Sequence, residues 1–227
     1  MGVRRRAAEA TGLIVVGRAE TVLAGLARGR LVGAPEGPVR LSYLDPPFEP
    51  GDAFPSLEPP AAARAWERMM ATCLGAAARI LDRRGTVCLH VDRRLAPLCR
   101  GLVRDAFGTP VVEAAWERDP GAEGDALLFA GRAATACRGE WDGRTCGFRD
   151  EGLREVAEVA AGVAPFPHPK PVRLLRRIVA TTTDPGDVVL DPFLGSGTSA
   201  AAAGAVGRSW IGIDRDVATL RRYAIPR

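Results

Sequence analysis

Two short stretches hold the residues best able to do chemistry. The first, LSYLDPPFEP at 41–50, sets Asp45, Pro46, Pro47 and Phe48 directly behind an apolar run. Consecutive prolines fix the backbone and remove two amide donors, so this loop is expected to be rich in acceptors, with an aromatic ring beside them. Such a loop suits an exocyclic amino group on a planar base: the N–H bonds are accepted, the ring is stacked upon, and the nitrogen lone pair is freed for attack on an electrophile. The second stretch, VVLDPFLGSGTSAAAAGAVGRSWIGID at 188–214, runs from an acid at Asp191 through Phe193 and a Gly195-Ser196-Gly197-Thr198 turn to a second acid at Asp214. Glycines let a backbone approach a ligand closely, and an acid at the tip of the next strand suits ribose hydroxyls, which fits an adenosine-containing cofactor. Each stretch also has a plainer reading. The first could be a Pro-Pro turn with Asp45 as a helix cap, and the second a tight strand-to-helix turn, since it lacks both the third glycine of the dinucleotide pattern and a P-loop lysine.

These loops need a frame. LIVV (13–16), VRLSYL (39–44), TVCLHV (86–91), VVLD (188–191) and WIGID (210–214) are short apolar runs bounded by Gly, Pro or Asp. Between them, 61–82, 93–107, 171–182 and 198–206 have helical spacing, and the alternation predicts an α/β fold with a mostly parallel sheet, crossover helices on both faces and ligands at the carboxyl ends of the strands. PVVEAAWER (110–118) and DALLFAGR (125–132) are expected to form an antiparallel hairpin around Asp-Pro-Gly at 119–121. The stretch from about 133 to 165 has no clear period and reads as a small insertion, with a helix near 150–162.

Composition narrows the classes. The chain has 227 residues, 47% of them hydrophobic, which predicts one domain over 1–227. Net charge is +4 and nearly all the positive charge is arginine, Lys170 being the single lysine. That balance permits a polyanionic partner without requiring one. The five cysteines contain no C-x-x-C pair and read as free thiols in a reducing compartment, and no apolar run approaches the length of a membrane span. A cytoplasmic protein without membrane or metal partners is the expectation. His90 reads as a structural residue near a strand end.

Together, LDPPF followed far downstream by VVLDPFLGSGT and WIGID resembles the S-adenosylmethionine-dependent amino-methyltransferases of DNA in the permuted order called beta, which modify adenine N6 or cytosine N4. GRAETVLAGL (17–26), residues 85–108, VVEAAWER and residues 165–193 extend the likeness over most of the chain. The resemblance implies a circularly permuted Rossmann-like methyltransferase fold. It makes Asp45, Pro46, Pro47 and Phe48 the catalytic loop. It gives S-adenosyl-L-methionine a site formed by Asp45, Asp191, Phe193, Gly195, Ser196, Gly197, Thr198 and Asp214, with His168 and Lys170 facing the methionine carboxylate. Adenine is favoured over cytosine, because members with Asp at the first catalytic position tend towards adenine. The base would be flipped out or taken from a single strand.

The chain departs from the pattern at Arg18, where members carry an acid, and in HPKP, which lacks the usual polar residue before its lysine. Target recognition would have to fit within about 133–165, where Arg132, Arg138, Arg144 and Arg149 are candidates for phosphate contacts. So small a region predicts modest site preference and a homodimer or partner subunit. The other readings are a non-catalytic or partner-dependent DNA-binding subunit, and a methyltransferase acting on RNA or a small amine.

Overall fold

The computed structural model describes residues 10–117, 124–131, 134, 148–149 and 170–224. Its strands are β1 (Gly12–Val16), β2 (Val39–Leu44), β3 (Thr86–Asp92), β4 (Val112–Glu117), β5 (Asp125–Gly131), β6 (Phe148–Arg149), β7 (Val188–Asp191) and β8 (Ser209–Asp214). They form one sheet in the order β1-β8-β7-β2-β3-β5-β4-β6. The five strands from β1 to β3 in that order are parallel to one another. β5 runs against both β3 and β4, so it alone opposes the rest. The expected hairpin is therefore present as a β4–β5 pair, while its Asp-Pro-Gly turn, the helix near 150–162 and nearly all of the 133–165 insertion lie outside the described residues.

The permuted order makes the first described strand an edge continuation of the last. β1 pairs in register with β8, from Gly12 beside Trp210 to Val16 beside Asp214. Gly12 is required there because the Trp210 ring lies where a side chain would start.

Helices cover both faces, and the strand alternation dictates which residues meet them. On one face, Leu44, Val87, Leu89, Val91, Val188, Leu190, Ile211 and Ile213 pack with α1 (Ala19–Leu26), α3 (Pro59–Ile80) and α4 (Ala96–Phe107). α3 presents Trp66, Met70, Cys73, Leu74 and Ala77 at helical spacing, and Pro59 and Pro60 open it where no amide partner is needed. On the other face, Leu41, Tyr43, Cys88, Trp116, Leu127, Phe129 and Val189 meet α5 (Val172–Thr182) and α6 (Thr198–Ala205). In α5, Leu174, Leu175, Ile178 and Val179 are buried between the outward arginines 173, 176 and 177. α2 (Pro50–Ala53) and the turn-like α7 (Val217–Thr219), which runs into a π-helical turn at Leu220–Ala224, have no clear period in the sequence.

From β7 the chain crosses through α6 to β8 on one side, and from β2 through α3 to β3 on the other. The neighbouring carboxyl ends of β7 and β2 thus form the switch point of the sheet, where such folds open a crevice.

Candidate active site

That crevice is a cleft of about 670 Å³, within the usual range for small-ligand sites. It is lined by Gly17–Glu20 before and in α1, Asp45–Glu49 after β2, Asp191–Ser196 after β7, and Asp214 at the end of β8. The side away from β7 contributes Trp116 and Asp125. All the strands concerned present carboxyl ends here except the reversed β5, whose amino end reaches the same edge.

Asp45 follows β2 on the α5 side of the sheet, the side of Tyr43 two residues before it. Lys170, the residue before Pro171 and α5, donates from Nζ to both carboxylate oxygens of Asp45, at 2.7 and 2.8 Å. The same ammonium lies 4.8 Å from the centre of the Phe48 ring. Lys170 is only 8% exposed, so the single lysine of the chain fixes two side chains of one loop. Each carboxylate oxygen keeps a lone pair for another donor. The expectation that the loop's carbonyls are free needs correcting. Pro47's carbonyl accepts from Trp66 Nε1 at 2.7 Å, a bond made possible because α3 runs beneath the loop. Among the described residues Pro46's carbonyl accepts no hydrogen bond, and Pro46 lines the cleft next to Asp45.

The turn after β7 is held by its own acids. Asp191 accepts from the Phe193 amide at 2.9 Å and from the Ser199 hydroxyl. Burial pushes its carboxyl up to about 7, helped by the charges of Asp45 and Asp214 and opposed by those two hydrogen bonds. Asp214 accepts from the Gly195 amide at 2.8 Å and from the Asp216 amide at 2.9 Å. Gly195 and Gly197 have φ of +50° and +80°, and a Cβ on Gly197 would stand 3.0 Å from that of Ala224. Both glycines thus hold a conformation that L side chains rarely adopt, and Gly197 also leaves room for Ala224 behind the turn. Ser196 and Thr198 hydroxyls pair at 2.9 Å, both buried.

Every candidate within the described residues lines this cleft save Gly197, which shapes the turn from behind. His168, Arg132, Arg138 and Arg144 lie outside the described residues, and of Arg149 only the backbone, in β6, is described. Arg18 stands at the rim and pairs with Glu20 at 2.6 Å. A carboxylate is therefore present in this wall two residues past the position where the resemblance expects one. Glu20, Trp66 and Asp125 carry no local pattern that marks them, because each reaches the site from a different element.

His90 is more than a strand-end residue. It is wholly buried, its Nδ1 lies 2.8 Å from Tyr43 Oη and its Nε2 2.9 Å from Asp125 Oδ2. Its ring stands perpendicular to that of Trp116 at 5.3 Å between centroids, and the Phe48 ring lies 6.3 Å away. Burial and the Lys170 charge hold its pKa below the ordinary value, although Asp125 and Asp45 pull the other way. Burial pushes the Cys73 and Cys99 thiols up to about 12, which leaves them poor nucleophiles at neutral pH. Among the described residues, no group of three or more His, Cys, Asp or Glu is arranged to hold a metal ion, and no helix is long and apolar enough to cross a membrane.

Comparison with known proteins finds partial likenesses in sequence and a longer one in fold. Residues 140–223 match the family model N6_N4_Mtase, described as DNA methylase. The type II methyltransferase M.EcaI of Enterobacter cloacae is 35% identical over 92 residues, 38% of this chain and 20% of that protein. M.HinfI of Haemophilus influenzae is 51% identical over 47 residues, 21% of this chain and 13% of that protein. The matched stretches therefore span a fifth or less of these relatives. Likeness of fold runs much further. The M1.HpyAVI–SAM complex superposes with a TM-score of 0.61 at 18% identity, over 93% of this chain and 97% of that one. TTHA0409 of Thermus thermophilus, solved with S-adenosyl-L-methionine, gives 0.62 at 22% identity over 93% and 90%. The cytosine-N4-specific PvuII DNA methyltransferase gives 0.63 at 13% identity over 93% and 84%.

Proposed function

We infer that this chain, a relative in sequence and in fold of the N6/N4 DNA methylases, transfers a methyl group from S-adenosyl-L-methionine to an exocyclic amine of a DNA base. The observation that carries the reading is the placement of Asp45, clamped by Lys170, in the same cleft as the glycine cradle of residues 195–197. The cradle fits such a cofactor: it offers backbone at close range and two acids, with Phe193 and Leu194 supplying apolar contact. Asp214 would take the ribose hydroxyls with the lone pairs left over from Gly195 and Asp216. Bound there, the cofactor supplies a methyl group already activated on a sulfonium, so no metal is called for.

The chain's own contribution is orientation and charge. Asp45 accepts one N–H of the target amine, and Pro46's carbonyl is the loop's acceptor for the other. Drawing both hydrogens aside localises the lone pair that the ring would otherwise share, and directs it along the cleft towards β7. With S-adenosyl-L-methionine bound, the amine would take its methyl group and leave the neutral thioether, and the surplus proton on nitrogen would pass to an acceptor at the loop, such as Asp45, or to water. Lys170 keeps the Asp45 carboxylate in one orientation, and Trp66 anchors the loop through Pro47. A base inside a duplex cannot reach this depth, so the target is flipped out or single-stranded.

Adenine N6 is the favoured target, on the resemblance of an Asp-first catalytic loop to adenine-modifying members. Incubating the pure protein with labelled cofactor and unmethylated genomic DNA, then resolving the nucleosides, tests each level. N6-methyladenine is the expected product. N4-methylcytosine would retain the reaction and change the base, and cofactor binding with no label in DNA would overturn the reading.

A further inference from the structure

The two helical layers differ in charge. On the side of α1, α3 and α4, acids are interleaved with the arginines: α1 carries Glu20, α3 sets Glu67 among Arg64, Arg68 and Arg79, and α4 pairs Arg104 with Asp105. On the other side, α5 reads VRLLRRIVATT and α6 TSAAAAGA, and the Leu220–Ala224 turn packed beside α6 reads LRRYA. The charged residues of these three segments are Arg173, Arg176, Arg177, Arg221 and Arg222, all exposed, with no Asp or Glu among them.

Helix electrostatics by themselves disfavour this arrangement in α5. Arg173 stands in the first turn, where the exposed amides favour an acid, while the last turn, which favours a base, has none. Arg176 and Arg177 follow at the i+3 and i+4 positions, so like charges share one face. Within the helix nothing offsets that repulsion, because α5 contains no acid; a polyanion laid along the face would. The helix is also placed to meet one. It begins two residues after Lys170, which holds Asp45, and its Leu175 lines the cleft. Its 11 residues then lead about 16 Å away, towards the start of β7 at the opposite end of the sheet.

We propose that the exposed arginines of α5 hold the phosphate backbone of the DNA that flanks the target base, with Arg173 nearest the cleft and Arg176 and Arg177 one turn further along. Guanidinium groups suit phosphate oxygens because their N–H donors form a planar fork. The proposal takes its substrate class from the methyltransferase reading above. It adds that phosphates are held by the sheet-and-helix body itself, on the layer that supplies Lys170, outside the 133–165 insertion. Such contacts fix the register of the DNA and carry no base information.

The test is fluorescence anisotropy of the full chain with a labelled, mixed-sequence DNA duplex, from about 50 to about 200 mM salt. Arg173→Gln, Arg176→Gln and Arg177→Gln together should weaken binding at least tenfold at the lowest salt. The slope of log affinity against log salt should fall by about 1 for each arginine removed. The same three positions changed to Lys keep the charge and should keep most of the slope, whereas a purely structural role would not separate Lys from Gln. Arg64→Gln, Arg68→Gln and Arg79→Gln in α3 remove equal charge from the other layer and should leave the wild-type slope. Cofactor affinity should not move in any of them. A wild-type slope in the α5 Gln variant overturns the proposal, as does an equal loss in the α3 control or a Lys variant no better than Gln. If that Gln variant keeps the slope but dissociates a dimer by light scattering, the layer belongs to a second copy and the proposal falls. Should the triple variant fail to fold, the three single Gln variants decide, and unchanged slopes in all three overturn it. A wild type that binds the duplex through α5 yet methylates no DNA sinks the reading of function and leaves this surface standing. Methylation with binding independent of α5 does the reverse.

Discussion

The two walls of the cleft are made by different means. On the β7–β8 side the ligand-facing surface is mostly backbone: a turn with two glycines at positive φ, clasped by Asp191 and Asp214 through amide hydrogens. On the β2–β3–β5 side it is side chains, with Asp45, Phe48, His90 and Asp125 joined by an ion pair, ring contacts and hydrogen bonds that begin on four elements. A backbone cradle suits a ligand that is the same in every reaction cycle. A side-chain wall can be altered one residue at a time, which suits the partner that must be selected.

If that division is real, the walls fail separately. The largest effect belongs to Asp45→Ala, which should lower methyl transfer roughly 10³-fold, the scale of losing one placed polar group at a reacting centre. Cofactor affinity should stay within a few-fold by calorimetry. Equal losses of both would mean that Asp45 serves the two walls alike.

Gly195→Val attacks the other wall. A β-branched residue at φ +50° costs roughly 1–2 kcal/mol in the backbone. It also disturbs the amide bond to Asp214, worth about 1 kcal/mol. Cofactor binding should weaken about 100-fold, since each 1.4 kcal/mol is tenfold. The chain should remain folded, because the turn lies at the end of the sheet and the core beneath is unchanged.

A smaller, continuous effect follows from Asp191. Folded, its carboxyl keeps its proton up to about pH 7, whereas unfolded it releases it near about 3.9. The folded state binds more protons in that window, so stability falls as pH rises from about 4 to about 7 and levels off above. Thermal unfolding of the free protein should show this slope, and Asp191→Asn should flatten it. A sulfonium nearby favours the ionised carboxylate, so cofactor affinity should rise with pH over the same window, by at most about tenfold per unit. An affinity independent of pH would place the sulfonium far from this turn.

The contrast between the walls also explains what the sequence could tell. The cradle is local: Asp191 to Thr198 is one continuous stretch whose glycines have few other uses, and Asp214 ends the very next strand. The sheet is equally legible, because fully buried strands such as Val188–Asp191 and Val39–Leu44 stand out as short apolar runs between turn residues. The other wall is legible only where it is local, at Asp45–Phe48. Lys170 is 125 residues from Asp45 in sequence, and Asp125 is 35 from His90. No spacing rule joins them until the order of β2, β3 and β5 is known. The Pro47 carbonyl shows the same limit, since the prolines indicate a loop without donors but not that a tryptophan from α3 would supply one.

Trp66→Phe gives the finest test of how the walls divide. The indole is 1% exposed and bonds Pro47's carbonyl at 2.7 Å, while the rest of its ring packs in the core beneath the sheet. Phenylalanine keeps much of that packing and loses the donor, about 1 kcal/mol for the bond itself. The Asp45–Phe48 loop would then be held by its two prolines and by Lys170 on Asp45. If the donor serves mainly to register the loop against α3, methyl transfer should fall about fivefold, which is what roughly 1 kcal/mol allows. Cofactor affinity, set on the opposite wall, should not move. Steady-state turnover and calorimetry on the one variant separate the two quantities. Turnover within twofold of wild type would show that the prolines and the ion pair suffice to hold the loop, whereas a parallel drop in cofactor affinity would show that strain in one wall reaches the other through the shared edge of β2 and β7.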